Sequence, residues 1–365
     1  MTKLQKAVLA ALVSLHLSVC SIAQAAPERE MVLLDSDMVE AFDDGVAMVM
    51  LAKADNVKLV GITTVSGNTW QEQGTAYALR QLQDAKVTGV PVAAGTQFPL
   101  HPHRWEYIDR EIRLIGRGHD EYFGAFQKPK PLSWQAAYRE AYGEDSPVKP
   151  VDKHAVNFII DTIRANPGKI TIAAIGPCTN LALAVRMAPD IVPLIKRVIY
   201  MGGAFYQQGN ITPAGEFNWW FDPEAARIAV RSPFKEQIVV GLDVCEKVVF
   251  RREHYVRILE TMKKAGHPMA SMFKKTFVGQ NFQKNPNFQH FVWDVIVSAI
   301  IIDPTIVTEE VTRYIDVNDQ YGLSYGQSLA YPRVPPGGAQ KARIILSIDI
   351  DRFWNMVNDP KFWKR

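Results

Sequence analysis

Residues 31–37 read Met-Val-Leu-Leu-Asp-Ser-Asp, a short apolar run that ends abruptly in two acids. A buried parallel strand has this pattern where its carboxyl end opens onto a site, because both faces of such a strand are covered. Apolar residues at helical spacing follow over 45–54, and 57–65 has the composition of a second strand. The stretch therefore predicts a strand, a helix and a parallel strand in succession.

The same alternation continues along the chain. It predicts helices over 71–84, 151–166, 179–187, 295–302 and 351–357, strands over 90–94, 170–175, 198–201, 238–242 and 342–350, and a mostly helical stretch over 251–278. Residues 99–150 have little periodicity and are rich in Pro, His, Arg, Tyr and Trp, which predicts a long irregular excursion over the sheet. The predicted fold class is α/β, one domain with a mostly parallel central sheet and helices on both faces.

Composition and charge limit the kinds of partner. The chain has 365 residues, is 47% hydrophobic, and carries 41 basic and 38 acidic residues, a formal charge of +3. This hydrophobic content excludes a disordered chain, and so small a net charge indicates no surface for a phosphate backbone. We therefore expect no nucleic-acid polymer as a partner.

Residues 1–25 have the pattern of a cleavable secretory signal peptide. Lys3 and Lys6 form a basic start, an apolar run covers 7–19, and Ala23-Gln24-Ala25 fits a small-x-small cleavage site. The pattern predicts a periplasmic or secreted protein whose mature domain covers 26–365, without a membrane span, because the run is too short. Lipidation at Cys20 is the alternative, although Val19 is bulky for such a motif.

Three cysteines are too few for a disulfide framework, and Cys20 lies in the leader. Cys178 and Cys245 each stand in an apolar, strand-like context. That context favours two buried thiols over a disulfide.

Five acids crowd together behind the first strand: Asp35, Asp37, Glu40, Asp43 and Asp44. Such carboxylates repel and raise one another's pKa unless a cation or a proton relieves them. One interpretation is a solvated turn with an N-cap Asp before the next helix. The other is a ligand site, because open α/β sheets bind ligands at the carboxyl edge. Oxygen ligands suit Ca²⁺ or Mg²⁺, so this interpretation predicts a metal-assisted enzyme.

The segments Asp35-Ser36-Asp37 and Asp43-Asp44-Gly45 resemble the acidic signature of the calcium-dependent nucleoside hydrolases of the inosine-uridine-preferring superfamily. Further segments agree with that family in the same order: 63–68, 175–180, 201–204, 209–213, 216–218 with 222–225, 241–244 and Trp293-Asp294. The resemblance extends from Met31 to about Asp316. It implies hydrolysis of the N-glycosidic bond of ribonucleosides to free base and ribose, with one Ca²⁺.

The resemblance also implies a role for each matching residue. Four groups would hold the Ca²⁺: the side chains of Asp37, Asp44 and Asp294 and the backbone carbonyl of Thr179. Asp37 would act as the general base on a water that the Ca²⁺ binds. The ribose hydroxyls would be bound by Asp43, Asn68 and Asn218, and the 5′ end would be lined by Met201, Asn210 and Glu216. On an extended segment, Glu216 and Asn218 would point to the same side.

Two features depart from the common family pattern. Five residues separate Asp37 from Asp43 where relatives commonly have three, and the longer loop contains Glu40, which we expect to face solvent. Trp293 stands where broad-specificity members carry a His that protonates the base. This resembles the purine-specific branch, in which Trp side chains sandwich the purine, and Trp105 lies where that branch has its second Trp. The resemblance therefore implies a purine preference.

Three other aromatic residues are candidates for a functional role. His119 either is a surface group or replaces the missing acid, and Trp219-Trp220 is expected to cover the substrate segment against a helix or a subunit. None of them belongs to the predicted site. Because relatives are commonly dimers or tetramers, the resemblance also allows a homodimer or a homotetramer.

Two other functions are compatible with the same residues. The longer loop and the absent His fit an exported calcium-dependent nucleoside- or ribose-binding protein without turnover. The metal and ribose positions also fit a hydrolase of another ribosyl compound, because they specify the sugar better than the base. In each case the expected partner is a small molecule, a nucleoside substrate first of all.

Overall fold

The protein is described by a computed structural model that covers residues 28–116 and 122–364. Its strands are β1 (Glu30–Ser36), β2 (Val57–Thr64), β3 (Val92–Ala94), β4 (Ile170–Ala174), β5 (Arg197–Met201), β6 (Gln237–Val240), β7 (Val249–Phe250), β8 (His290–Phe291), β9 (Val307–Val317), β10 (Ser328–Tyr331) and β11 (Gln340–Ile348). Nine of them form one sheet in the order β10-β9-β11-β6-β5-β4-β1-β2-β3. The run from β11 to β3 is parallel, while β9 and β10 pair antiparallel at one edge.

The α-helices are α1 (Asp44–Lys53), α2 (Gln71–Asp84), α3 (Ile108–Ile115), α4 (Trp134–Tyr142), α5 (Ala155–Ala165), α6 (Thr179–Met187), α7 (Phe217–Phe221), α8 (Pro223–Arg231), α9 (Leu242–Cys245), α10 (Arg252–Lys264), α11 (Met269–Lys275), α12 (Phe277–Lys284), α13 (Asp294–Ile302), α14 (Ile350–Val357) and α15 (Pro360–Trp363). Two separate apolar clusters cover the two faces of the sheet. Val32 and Leu34 of β1 pack into one cluster with α1 and α13, whereas Leu33 packs into the other with α5, α6 and α8. The predicted α/β class is therefore confirmed.

The excursion differs from its prediction. Residues 99–150 are not irregular throughout, since they contain α3, α4 and two short 3₁₀ segments, Arg104–Tyr107 and Gly124–Gln127. The apolar residues of α3, Ile108, Ile112 and Ile115, do recur at helical spacing, but eight residues are too short a stretch to predict a helix.

The described residues test the prediction of two buried thiols but not the prediction of a signal peptide. The predicted signal peptide and Cys20 lie outside the described residues. Cys178 and Cys245 are free and buried, which confirms the expectation of two buried thiols. Among residues 28–116 and 122–364, no helix is long and apolar enough to cross a membrane.

Candidate active site

The candidate site lies where four neighbouring parallel strands end at one edge of the sheet. Asp37 follows β1, Asn68 follows β2, Thr179 follows β4, and β5 ends at Met201. Because β5, β4, β1 and β2 are adjacent in the sheet, these residues meet in space although they are far apart in the chain. Asp294 comes from the start of α13, which packs on α1.

Asp37 is fully buried and presents one bare oxygen. Its Oδ2 accepts the backbone N–H of Asn68 at 2.5 Å, while its Oδ1 has no hydrogen-bond partner. Burial raises the pKa of this carboxyl well above its ordinary value, and the charge of Asp44 raises it further. Gly67 and Gly176 allow the close approach, because a Cβ would lie 2.2 Å from Oδ2 at the first and 2.8 Å from Oδ1 at the second.

Asp44 and Asp294 present the same arrangement. Asp44 Oδ1 accepts the hydroxyl of Ser36 at 2.6 Å, whereas Asp44 Oδ2 and Asp294 Oδ1 have no partner. Burial raises the pKa of Asp44 to about 6, opposed by hydrogen bonds from Ser36 and the backbone of Val39. Burial also raises the pKa of Asp294 well above its ordinary value, and the charges of Asp43, Asp44 and Asp37 add to the shift. Three buried carboxyls thus each expose an unsatisfied oxygen, which a cation or a proton must satisfy.

The chemistry of these donors fits a hard divalent cation, because carboxylate oxygens are the ligands that Ca²⁺ prefers. Within the described residues, however, no group of three or more His, Cys, Asp or Glu side chains stands in a ready-formed metal-binding geometry. Thr179 is buried at the start of α6, and its hydroxyl donates to Asp222 Oδ2 at 2.6 Å.

Asp43 is bonded to a helix far away in sequence. Its carboxylate accepts the backbone N–H groups of Trp293, Asp294 and Val295 at 2.9 to 3.2 Å, so it caps α13. It makes no side-chain cap on α1, the helix that it precedes. Burial raises the pKa of Asp43 to about 8, and the charge of Asp44 contributes.

The first interpretation of the acidic stretch, a solvated turn, is wrong. Asp35, Asp37, Asp43 and Asp44 are each no more than 5% exposed. The expectation that Glu40 faces solvent is also wrong, because this side chain is half-buried and accepts the hydroxyl of Tyr142 at 2.8 Å. The backbone between β1 and α1 folds inward because its acids have partners on α4, on α13 and in the turn after β2.

Asp35, the first acid of the signature, lies near the carboxyl end of β1 and binds the elements next to it. Its Oδ1 accepts the hydroxyl of Thr63 at 2.6 Å and the amide of Asn180 at 2.8 Å. These bonds tie β1 to β2 and to α6. Burial raises the pKa of Asp35 to about 6, opposed by both hydrogen bonds.

The residues predicted to bind ribose and its 5′ end also come together, but not on an extended segment. Glu216 caps the short helix α7, accepting the N–H groups of Asn218 at 2.8 Å and Trp219 at 3.1 Å. It also accepts the N–H of Gly203 at 2.9 Å, and burial raises its pKa to about 7. Asn218 donates to the carbonyls of Ile175 and Met201, each at 3.1 Å, and its Oδ1 has no partner.

Asn68 and Asn210 lie on two turns around the same edge. The backbone N–H of Asn68 binds Asp37, as described above, and its side chain is half-buried. Asn210 Oδ1 accepts the backbone N–H of Phe217 at 2.9 Å, which holds its turn against α7.

The two tryptophans predicted to sandwich the base have separate aromatic neighbours. Trp293 is half-buried, its ring lies 5.2 Å from that of His290, and its Nε1 has no partner. Trp105 is 37% exposed and packs against Phe98, with ring centroids 5.0 Å apart. Trp219 and Trp220 are buried within this chain, at 0% and 1% exposure. His119 lies outside the described residues.

Tyr122 is a residue of this site that the sequence patterns did not indicate. Its hydroxyl donates to the backbone carbonyl of Asn68 at 3.3 Å, and its ring lies 5.6 Å from that of Phe217. Tyr122 is 37% exposed, but desolvation of its hydroxyl at this site and the charges of Asp37 and Asp44 raise its pKa. No local signal could have identified it, because its place depends on how the excursion returns to the sheet.

Comparisons with known proteins show the family to which the chain belongs. The sequence profile described as inosine-uridine preferring nucleoside hydrolase matches residues 32–355. The pyrimidine-specific ribonucleoside hydrolase RihB of Escherichia coli is 32% identical over 339 residues, which cover 91% of this chain and 97% of that protein. The same comparison with RihB of Shigella sonnei gives the same identity and coverage.

Solved structures with the same fold include enzymes with a different base preference. A purine-preferring ribonucleoside hydrolase from Gardnerella vaginalis has a TM-score of 0.71 and 25% identity, covering 92% of this chain and 98% of that chain. A plant nucleoside hydrolase, PpNRh1, has a TM-score of 0.72 at 23% identity, covering 91% of this chain and 98% of that chain, and supports the fold.

Proposed function

The chain belongs to the inosine-uridine preferring nucleoside hydrolase family and acts on ribonucleosides, and we propose that it does so with one Ca²⁺ and a preference for purine bases. One observation carries the metal part of the proposal. Asp37, Asp44 and Asp294 are buried together, and each has a carboxylate oxygen without a partner. A bound Ca²⁺ would supply charge neutralisation, hold the ribose hydroxyls and lower the pKa of a water.

Asp37 is the proposed general base. Its carboxylate, positioned by the backbone N–H of Asn68, takes a proton from the attacking water. The water oxygen bonds to C1′ of the ribose while the electrons of the N-glycosidic bond leave with the base, which takes a proton from solvent. The surrounding carboxylates stabilise the positive charge that develops on the ribosyl ring.

Asn218 is proposed to orient the ribose. Its amide nitrogen is anchored on the carbonyls at the ends of β4 and β5, which leaves its Oδ1 to accept a ribose hydroxyl. Glu216 fixes this arrangement because the same carboxylate holds α7 and the Gly203 turn. The sugar end of the substrate is therefore held by side chains whose other atoms are already fixed.

The proposed purine preference rests on Trp293. Asp294 immediately follows it, and the cap from Asp43 holds its backbone, so the indole is tied to the acidic cluster. Stacking of a base on an aromatic ring contributes about 1–3 kcal/mol, and a purine offers the larger ring surface. A pyrimidine preference is the second candidate, favoured by the 32% identity to the pyrimidine-specific RihB over 91% of this chain.

Ribose release from inosine, adenosine, guanosine, uridine and cytidine, with and without a calcium chelator, tests these proposals. We expect chelator-sensitive release that is faster from the purine nucleosides. Faster release from uridine and cytidine would replace the purine proposal with the pyrimidine one. Nucleoside binding without any release would support a binding protein, and release only from another ribosyl compound would change the substrate.

Export is a further proposal, based on residues 1–25 alone. Expression of the full chain in a Gram-negative host, followed by fractionation and N-terminal sequencing, tests it. We expect periplasmic protein that begins at Ala26. An uncleaved protein in the cytoplasmic fraction would contradict the proposal.

A further inference from the structure

The loop between β1 and α1, residues 37–43, contains two residues in an unfavourable backbone conformation. Ala41 has φ of 54° and Asp43 has φ of 57°. This left-handed region is costly for residues with a Cβ, and such residues persist only where the surrounding structure imposes them. Five residues separate Asp37 from Asp43 in this loop. Something outside the loop must therefore hold it.

Gln81 of α2 makes the contacts that hold this loop. Its side chain is fully buried, and its Oε1 accepts the backbone N–H of Ala41 at 2.6 Å. Its Nε2 donates to the carbonyl of Val39 at 3.1 Å and to that of Tyr77 in its own helix at 3.2 Å. One amide group thus binds the backbone on both sides of Glu40.

The same side chain contacts the start of α1. A Cβ added at Gly45 would lie only 2.0 Å from Gln81 Oε1, so the helix that begins with Asp44 packs directly on this amide. Asp44 is one of the three carboxyls with a bare oxygen, and Asp43 beside it caps α13, which begins with Asp294. A shift at Gln81 would therefore be transmitted to two of the three proposed cation ligands.

Other contacts also hold the loop, and the first is made by the Thr69 hydroxyl, which donates to the carbonyls of Asp37 at 3.2 Å and Met38 at 3.1 Å. Glu40 accepts the hydroxyl of Tyr142, and the Phe42 ring stacks on that of Phe250 with centroids 5.3 Å apart. None of these contacts binds the backbone of the strained Ala41, which Gln81 does. We propose that Gln81 is a positioning residue that sets the cation affinity of this site by holding this loop against α2. The inference rests on the proposed use of Ca²⁺ but not on turnover.

Calcium titration of the metal-free full-length protein by calorimetry tests this proposal. Gln81→Met keeps the approximate volume and removes the loop hydrogen bonds. Its matched control is Gln237→Met, because Gln237 of β6 is also a buried amide, accepting the hydroxyl of Tyr200 at 2.9 Å and donating to the carbonyl of Val230 at 3.1 Å. We expect both variants to melt at lower temperature. Only Gln81→Met should bind Ca²⁺ at least about tenfold more weakly, since two loop bonds are lost.

The rate of ribose release distinguishes a loss of calcium affinity from a loss of catalysis. If Gln81 only positions the ligands, ribose release by Gln81→Met should recover toward the wild-type rate at saturating Ca²⁺. Gln81→Asn, which keeps the amide on a side chain one methylene shorter and adds no charge, should have intermediate affinity and decides the question if Gln81→Met does not fold.

Three results would overturn the proposal: wild-type calcium affinity in the Gln81 variants, equal weakening in Gln237→Met, or no calcium binding by the wild-type protein. Calcium binding without ribose release from any nucleoside would instead reject the proposed function. The role of Gln81 would then still be decided by the titration.

Discussion

Asp43 and Asp294 are joined across 251 positions of the chain, because Asp43 Oδ1 accepts the backbone N–H of Asp294 at 2.9 Å. The same carboxylate accepts the N–H groups of Trp293 and Val295. One side chain therefore sets the position of a proposed cation ligand and of the proposed base-stacking ring. Removing the Asp43 carboxylate should therefore lower both the stability of the fold and the rate of nucleoside hydrolysis.

Asp43→Ala should lower the free energy of unfolding by about 1–2 kcal/mol through loss of the α13 cap. Asp43→Asn keeps an acceptor oxygen and should lose less. Chemical denaturation followed by circular dichroism measures both values. Equal stability of Asp43→Ala and the wild-type protein would show that the cap contributes nothing.

Asp37→Asn should reduce kcat for nucleoside hydrolysis by about 10²- to 10⁴-fold, the usual contribution of a general base. The variant should fold, because the Asn side chain can still accept the N–H of Asn68. Metal-free Asp37→Asn should even melt at higher temperature than the metal-free wild-type protein, since one buried charge is gone from the cluster. A kcat within tenfold of the wild-type value would contradict the assignment of Asp37 as base.

Bound Ca²⁺ should raise the free energy of unfolding, because it binds the folded protein and not the unfolded chain. A ligand at 100 times its Kd adds about 2.7 kcal/mol to the free energy of unfolding. Melting temperature should therefore rise with added Ca²⁺ and fall with chelator in the wild-type protein. A melting temperature that responds to neither would remove the metal from the proposed function.

Trp293→Leu should lower kcat/KM for inosine more than for uridine, by a factor of roughly 5 to 150 if stacking contributes about 1–3 kcal/mol. Trp105→Leu is the informative companion, because Trp105 packs with Phe98 in a different aromatic group. Comparable losses in both variants would support a sandwich around the base. Equal losses for inosine and uridine in Trp293→Leu would show that this ring does not select the base.

Glu111→Ala should be strongly destabilising. Glu111 is buried in the excursion, pairs with the buried Arg104 at 2.6 Å, and accepts the indole N–H of Trp220 in α7 at 2.8 Å. Removing it leaves a buried guanidinium without its partner, which costs about 3–5 kcal/mol. Glu106→Ala, an exposed acid of the same excursion, is the control for the unfolding measurement and should change little. Similar stabilities of the two variants would contradict this account.

Local patterns predict the elements that carry the site. The apolar runs of β1, β2, β4 and β5 and the polar residues after them are contiguous in the chain, so the sequence alone locates the carboxyl edge. Asp37, Asn68, Asp294 and Asn218 are identified through resemblance, and their positions around one edge agree with it. The sequence does not predict the helix α7, because a stretch of five aromatic and polar residues is too short to distinguish a helix from an extended segment.

The α/β alternation and the buried thiols follow from the sequence, because strand periodicity and apolar runs are properties of neighbouring residues, and the proposed site residues are implied by the resemblance of the motifs. Three other features depend on the tertiary structure: Asp43 caps α13 instead of its own helix, Glu40 turns toward Tyr142, and Gln81 holds the acidic loop. Each of these contacts joins residues at least 40 positions apart. Their partners are selected by how helices and loops pack on the sheet, and a local pattern contains no information about that packing.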